Sequence, residues 1–240
     1  MQDTQTPSGV LLIDKAPDMT SHDVVAIARR SLGIKKIGHC GTLDPMATGL
    51  LMLVIGKATK LQDFLMAESK EYEGTLTLGV ETSSQDAQGE VTATHSTEGV
   101  TEEAIRKAFE QYTGDFAQIP PMVSAIKKDG VRLYKLARQG QEVEREPRAV
   151  SVRGYQIRGI ALPEVEFTVQ CSKGFYVRSY AHDIGQVLGC GAHLSALRRT
   201  QSGEFRVEKA ITVDTLKSAP REELYSAFLT LEDIARMRGV

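Results

Sequence analysis

The chain has 240 residues, of which 25% are charged and 41% are hydrophobic, and its formal net charge at neutral pH is −2. These near-average values exclude an intrinsically disordered, collagen-like or coiled-coil protein, and the length suffices for a large core. The longest apolar run, Leu50 to Ile55, is too short to cross a membrane, and Met1 to Ser8 lacks the basic and apolar regions of a secretory signal. Three cysteines without a CxxC spacing indicate neither a disulfide framework nor a four-cysteine zinc site, so we expect a cytoplasmic protein.

Charge is distributed unevenly along the chain. The stretch from Lys127 to Arg158, called the basic segment below, contains nine basic and four acidic residues. Glu81 to Ile105 contains six acidic residues and no lysine or arginine. A run of like charge usually forms a solvated face. The basic segment is also compatible with an element that binds RNA phosphates, and both interpretations stay open at this point.

Strands and helices alternate irregularly in the first third of the chain. Gly9 to Ile13 predicts a short buried strand, and a helix is expected to begin at Thr20 or Ser21 and to end at Gly33. A glycine-rich loop over Gly38 to Gly49 comes next. It is followed by a strand over Leu50 to Ile55 and by a helix over Lys57 to Ala67, whose buried face carries Leu61, Phe64 and Leu65.

The rest of the chain is richer in strands. Alternation over Tyr72 to Val80 predicts a strand on which Tyr72 shares a face with Leu76 and Leu78. The later predicted elements are a polar turn at Glu81 to Gly89, a helix capped by Thr101, a helix near Leu133 to Arg138, strands near Val150 to Ile157 and Glu164 to Cys171, a helix over Tyr176 to Leu188, a last strand at Leu194 to Leu197, and one or two short helices after Phe205. This succession predicts an α+β domain around a mixed or antiparallel sheet.

The loop from Gly38 to Gly49 places one carboxylate, Asp44, among three glycines. Glycine lets the backbone turn sharply or lets a ligand approach closely, so Asp44 is a candidate catalytic group. Aspartate before proline is also a common turn residue, and that interpretation stays open. The loop lacks the GxxxxGK[ST] pattern and is not a phosphate-binding P-loop.

Arg178 lies in the first turn of its predicted helix, where the helix dipole disfavours a cation. It is either an unimportant surface residue or the partner of an anion, which would be a carboxylate or a phosphate. If that anion is Asp44, the carboxyl group stays ionised at neutral pH and can act as a nucleophile or a general base.

The five histidines show no spacing typical of a metal site. His39 and Cys40 are adjacent, which suggests a cysteine–histidine nucleophile. Neighbouring residues of an extended chain face opposite sides, however, and this argues against such a pair. Cys171 alternates with apolar residues and is expected to be a buried thiol.

Six stretches together resemble the TruB-type tRNA pseudouridine synthases. The first is GHCGTLDPMATGLL, which contains Asp44. The others are KEYEGTLTLG, TSSQDAQG, QIPPMVSAIKKDGVRLYKLARQG, CSKGFYVRSYAHDIG and GCGAHLSALRRT. They follow one another in the family's order between about Gly9 and Phe205, which is most of the chain.

The resemblance implies an α+β pseudouridine-synthase fold and an isomerase that converts uridine 55 in the T-arm stem-loop of tRNA to pseudouridine, without cofactor or metal. Asp44 matches the family's essential aspartate, which acts on the flipped uridine by attack at C1′, by attack at C6, or through a glycal route. Arg178 matches the arginine that pairs with this aspartate, and Tyr72 matches the active-site tyrosine. His39 matches a histidine that contacts the RNA. The remaining matches to pocket or RNA-contacting positions are Lys60, Tyr176 and Leu197.

The resemblance also implies a partner and a domain organisation. The partner is tRNA, which a thumb segment at about residues 118–150 grips through Lys127, Lys128, Arg132 and Arg138; no membrane is involved and a monomer is expected. The catalytic domain is expected over residues 1–205. Residues 206–240 would form a short extension, which is too short for the family's C-terminal RNA-binding domain of PUA type. Phe175, Tyr180 and His182 depart from the family's usual residues around Arg178.

Two other functions remain open. One is an RNA chaperone that remodels tRNA whether or not it catalyses. The other is a synthase that acts at a different uridine or on a different RNA.

Overall fold

A computed structural model describes residues 7–128 and 130–237. Most of the stretch from Met1 to Ser8, which we examined for a signal, and Asp129 of the basic segment lie outside these residues. The strands are β1 Gly9–Lys15, β2 Ile37–Cys40, β3 Thr48–Ile55, β4 Lys70–Leu78, β5 Val80–Thr82, β6 Val91–Thr94, β7 Gly114–Gln118, β8 Lys127–Lys128, β9 Val131–Arg132, β10 Arg148–Ala161, β11 Glu164–Cys171, β12 Ala192–Ser202, β13 Phe205–Arg206 and β14 Ile211–Thr212. The helices are α1 Ser21–Leu32, α2 Gln62–Met66, α3 Glu102–Gln111, α4 Leu133–Ala137, α5 Val177–Leu188, α6 Val213–Ser218, α7 Arg221–Ser226 and α8 Leu231–Met237.

The chain forms two compact units. The first unit comprises Met1–Tyr72 and Arg198–Val240, and the second comprises Glu73–Leu197. Strands β4 and β12 each contribute residues to both units. The boundary that we predicted near residue 205 separates a catalytic domain from an extension, whereas these units are defined by compactness. That boundary stays a prediction.

The first unit is built on a mixed sheet with the strand order β14-β1-β3-β12. Strands β1 and β3 are antiparallel, whereas β1 with β14 and β3 with β12 are parallel. Strand β2 pairs with β3 only. Almost every residue of β3 is buried, because the sheet is covered on both faces. Helix α1 begins at a capping box of Thr20 and Asp23 and ends at Gly33, which adopts a left-handed conformation, as its sequence predicts.

The second unit is built on the strand order β4-β11-β10-β7, in which β10 is antiparallel to both β11 and β7. Small hairpins form between β5 and β6 and between β8 and β9. Helices α3 and α5 pack together. Their core contains the rings of Phe109, Phe167 and Tyr180, which meet edge to face with centroids 5.5–5.9 Å apart. The α+β class with a mixed sheet and flanking helices is therefore confirmed.

Four local predictions need correction. The loop at Gly38 begins as strand β2, because that stretch pairs with β3. Part of the expected turn after Val80 is strand β5, paired with β6. Phe64 is 54% exposed because the predicted helix is a 3-10 turn over Gly56–Leu61 before the short α2, and this changes the face that Phe64 occupies. The chain after Phe205 forms three short helices and adds strand β14 to the sheet.

Candidate functional site

Asp44 lies on a short loop between β2 and β3. We call the residues from Gly41 to Ala47 the aspartate loop. Asp44 is half-buried, and its carbonyl oxygen accepts a hydrogen bond of 3.0 Å from the amide of Ala47, which closes a turn. Ser21, at the start of α1, holds the preceding residue: its hydroxyl accepts from the Leu43 amide (2.9 Å) and donates to the Leu43 carbonyl (3.2 Å). A helix terminus therefore fixes the backbone next to the carboxylate.

Lys15, the last residue of β1, lies behind the aspartate loop and is completely buried. Its ammonium group donates to the carbonyl oxygens of Ala16 (2.9 Å), Met19 (2.8 Å) and Pro45 (3.1 Å). Burial lowers the pKa of Lys15 to about 8, and the negative charge of Asp44 opposes this shift. Sequence reasoning missed this residue, because a lysine at a strand end is usually exposed.

Arg199 on β12 is the second buried cation beside the loop, with only 2% of its surface exposed. Its Nε donates to the Leu50 carbonyl oxygen (2.7 Å) and its Nη2 to the Gly41 carbonyl oxygen (3.1 Å). Sequence reasoning missed this residue too. The only cue is that two arginines are adjacent, so they must face opposite sides of a strand. Its neighbour Arg198 forms a bidentate ion pair with Asp14.

His39 on β2 is half-buried, and its ring meets that of His22 edge to face with centroids 5.2 Å apart. Burial, with smaller contributions from the charges of His22 and Arg199, lowers the pKa of His39 to about 4. Its Nδ1 is buried and has no hydrogen-bond partner among the described residues. His39 is therefore a neutral imidazole at physiological pH, which suits an uncharged hydrogen-bonding group better than a phosphate.

Cys40 is buried beside His39, and its thiol donates to the Gln62 carbonyl oxygen at 3.8 Å. Burial raises the pKa of Cys40 to about 12, so the residue is a thiol and not a thiolate at neutral pH. This agrees with the argument against a cysteine nucleophile. Cys171 is buried, as its alternation predicts.

Arg178 belongs to the second unit and is not a surface residue, because only 3% of it is exposed. Its Nε lies 3.7 Å from a carboxylate oxygen of Asp86, which is also buried. Its Nη1 donates to the Ser84 carbonyl oxygen (3.0 Å) and its Nη2 to the Val123 carbonyl oxygen (2.7 Å). Asp86 is therefore one carboxylate beside Arg178, which sequence reasoning missed although TSSQDAQG contains it. The pairing of Arg178 with Asp44 stays a prediction.

Tyr176 precedes α5 and is held by the side chain of Gln118. The amide nitrogen of Gln118 donates to the Tyr176 carbonyl oxygen (3.0 Å), and its amide oxygen accepts from the Tyr176 backbone (2.8 Å). This exchange joins the start of the thumb segment to the helix that carries Arg178. Asp86 and Gln118 thus both hold the α5 terminus in place.

The basic segment places four cations at the surface. Lys127, Lys128 and Arg132 lie on the β8–β9 hairpin, and Arg138 follows α4 with its guanidinium 5.6 Å from the Tyr134 ring centre. None of the four forms an ion pair with a described residue. Their charges are therefore available to a polyanion.

The other predicted site residues divide between the two units. Lys60 is exposed at the 3-10 turn and Tyr72 is buried on β4, and both belong to the first unit with Asp44 and His39. Leu197 is buried on β12 and belongs to the second unit with Tyr176 and Arg178. Their convergence on one uridine stays a prediction. Among residues 7–128 and 130–237, no cluster of three or more histidine, cysteine or carboxylate side chains is arranged to hold a metal. No described helix has the length and apolar character needed to cross a bilayer.

Comparison with known families places this chain among the pseudouridylate synthases. Residues 29–177 match "TruB family pseudouridylate synthase (N terminal domain)", and residues 178–236 match "tRNA pseudouridylate synthase B C-terminal domain". The chain therefore belongs to the TruB family, and the resemblance seen in its motifs is confirmed.

Relatives and solved structures agree with this family. A tRNA pseudouridine synthase B of Opitutus terrae is 55% identical over 90% of this chain and 90% of its own length. One from Syntrophotalea carbinolica is 44% identical over 95% of this chain and 75% of its own length. The fold is similar to a chain of a Cbf5–Nop10–Gar1 complex, with a TM-score of 0.72 and 32% identity, over 96% of this chain and 62% of that chain. A second similar structure is an H/ACA ribonucleoprotein bound to a substrate RNA, with a TM-score of 0.69 and 29% identity, over 95% of this chain and 61% of that chain.

Proposed function

We propose that this protein isomerises uridine 55 in the T-arm stem-loop of tRNA to pseudouridine and that Asp44 is its catalytic residue. Family membership supports the reaction class, and the relatives named tRNA pseudouridine synthase B support the substrate. The observation that carries the assignment to Asp44 is its loop, which Ser21, Lys15 and Arg199 hold at three of its residues, with Arg199 also bonded to Leu50 in the following strand.

The reaction requires that the bond between C1′ of the ribose and N1 of uracil breaks and that a bond from C1′ to C5 forms. The proton on C5 then leaves to water, and N1 takes up a proton from water in its place. An ionised Asp44 is suited to this chemistry because a carboxylate can attack carbon or accept a proton. The charge of the buried Lys15 interacts with that of Asp44, and a cation favours the ionised form of a nearby carboxyl group.

Binding of the uridine is assigned to the family positions that surround the aspartate. A base inside a folded RNA loop must leave its stack before an enzyme can reach it, which costs a few kcal/mol. We propose that the Tyr72 ring stacks on the flipped base and that the neutral His39 imidazole contacts the RNA around it. Lys60, Tyr176 and Leu197 complete the set that we propose to face the nucleotide.

The surface cations of the thumb segment are proposed to hold the tRNA by its phosphates. Lys127, Lys128, Arg132 and Arg138 are exposed and form no ion pair with a described residue, so neutralising a phosphate breaks no such ion pair. We further propose that the protein acts as a monomer in the cytoplasm, without metal or cofactor. These same cations support an added role as a tRNA chaperone, since their contacts do not depend on Asp44.

The test is release of tritium from a tRNA transcript labelled at uridine C5, without added metal or cofactor. The protein should release one equivalent, and Asp44→Asn should release none while its affinity for tRNA is retained. Asp18→Asn is the matched control, because Asp18 is exposed near the same loop and asparagine tolerates its positive φ of 59°. Release by Asp44→Asn at the normal rate would refute the assignment of Asp44.

A separate experiment tests the chaperone role. Refolding of misfolded tRNA by Asp44→Asn would support that role, and no change in the rate of tRNA refolding would refute it.

A further inference from the structure

Arg199 is an unusual residue for the interior of a protein. Only 2% of it is exposed, and its guanidinium is always charged. It forms no ion pair with any described residue, and its charge is met by two backbone carbonyl oxygens instead. Buried arginines are normally paired with a carboxylate, because removing the charge from water is costly. A purely structural account leaves this cost unexplained.

The two carbonyl groups that Arg199 binds stand on either side of Asp44. One belongs to Gly41, the first residue of the aspartate loop, and the other to Leu50 in the strand that follows it. A single planar guanidinium therefore links the start of the loop to the strand that follows its other end. The hydrogen bonds given above for Arg199 and Lys15 all end on backbone carbonyl oxygens. These bonds therefore do not occupy the carboxylate oxygens of Asp44.

Two glycines make this arrangement possible. Gly49 pairs with Arg199 in the sheet, and a Cβ at Gly49 would lie 2.3 Å from the Arg199 carbonyl oxygen. A Cβ at Gly41 would lie 3.2 Å from Nη1 of Arg199. Both glycines have positive φ, 78° at Gly41 and 94° at Gly49, which few other residues adopt. Gly41 and Gly49 thus allow the close approach of Arg199.

The charge of Arg199 also reaches the functional groups around the loop. It contributes to lowering the pKa of Lys15 and His39. At Cys40 it opposes the larger rise in pKa that burial causes.

We propose that Arg199 is a positioning residue for Asp44, which ties the first residue of the aspartate loop to the strand that follows it, so that the carboxylate is presented in its reactive place. This inference rests on the proposed function of Asp44. Arg198 offers a matched control, because it is the adjacent arginine of the same strand and its bidentate partner, Asp14, lies outside the loop.

The first test compares Arg199→Lys with Arg198→Lys in the tritium-release assay. Lysine keeps the charge but has one nitrogen in place of the two separate donor atoms, Nε and Nη2, that reach Leu50 and Gly41. The kcat should therefore fall about 100-fold for Arg199→Lys, as a misplacement of about 1 Å predicts. Its KM for tRNA should stay within about twofold, because binding by the thumb cations is untouched. Arg198→Lys should keep both constants within about twofold. A kcat within twofold of wild type for Arg199→Lys, or a fall in kcat matched by an equal loss of tRNA affinity, would refute the proposal.

The second test does not depend on activity. Hydrogen exchange of the peptide over residues 41–50 should be at least about tenfold faster in Arg199→Lys than in Arg198→Lys, because the loop amides lose their fixed geometry. Equal exchange in the two variants would overturn the proposal. Faster exchange together with an inactive wild-type protein would instead leave the loop geometry in place and refute the proposed function. Arg199→Gln, measured in the same way if it folds, removes the charge as well and should be slower in catalysis than Arg199→Lys.

Discussion

The guanidinium of Arg178 and the carboxylate of Asp86 form a buried ion pair, with Nε and Oδ2 3.7 Å apart. Asp86 also accepts hydrogen bonds from the Ser84 hydroxyl and the Gln88 amide. Arg178 in turn donates to the carbonyl oxygens of Ser84 and Val123. The polar turn at Glu81 to Gly89 and the thumb segment are thus bonded to the first turn of α5. This explains how a cation is tolerated at a helix N-terminus, where the dipole opposes it.

Asp86→Asn should lower the free energy of unfolding by roughly 2–3 kcal/mol, because it removes the negative charge that lies 3.7 Å from the buried Arg178 guanidinium. The measurement is urea denaturation at pH 7. Asp115→Asn on the exposed part of β7 is the control and should change the unfolding free energy by less than about 0.5 kcal/mol. Equal stability of the two variants would mean that the ion pair of Asp86 with Arg178 does not stabilise the fold.

Lys15 predicts how stability depends on pH. Burial lowers its pKa from 10.5 to about 8 in the folded protein, so between these values the unfolded chain binds more protons than the folded one. Stability contributed by this residue therefore rises with pH across that window, and below pH 8 the cost of burying the charge is fully present.

The measurement is the unfolding free energy of the wild type minus that of Lys15→Met. This value should increase between about pH 8 and about pH 10, because only the wild type carries the titrating group and gains stability when it loses its proton. Lys57→Met, at an exposed site, should show a constant difference over the same range. A constant difference for Lys15→Met as well would show that Lys15 is not desolvated.

Charge reversal at Lys127 and Lys128 should weaken tRNA binding and flatten its salt dependence. If each lysine contacts one phosphate, the slope of log K against log salt should fall by about 1–2 in total. Filter binding at salt concentrations from about 50 to about 200 mM measures both the affinity and the slope. Reversal at Arg106 and Lys107, which are exposed on α3 and paired with glutamates, is the control and should leave the slope unchanged. An unchanged slope for the thumb variant would mean that the basic segment is only a solvated face.

Much of the local structure could be read from the sequence. Helix α1 begins and ends where its capping residues predict, and alternation along β4 correctly buries Tyr72, Leu76 and Leu78. The errors concern pairing between distant segments. The tail after Phe205 contributes β14, whose Ile211 lies opposite Ile13 of β1, and no local pattern encodes that parallel pair.

For the candidate site, motifs in the sequence indicate the family and make Asp44 a candidate, because glycine spacing and a carboxylate before proline are local features of the chain. Which charged residues of each unit are buried depends on the tertiary structure. Lys15, Asp86 and Arg199 look like ordinary surface residues in the sequence, yet each is 4% exposed or less. Their partners include backbone groups far along the chain, such as Gly41 for Arg199 and Pro45 for Lys15. A buried charge is stable only when folding brings such groups within hydrogen-bonding distance, and that condition is not written in any local stretch of the sequence.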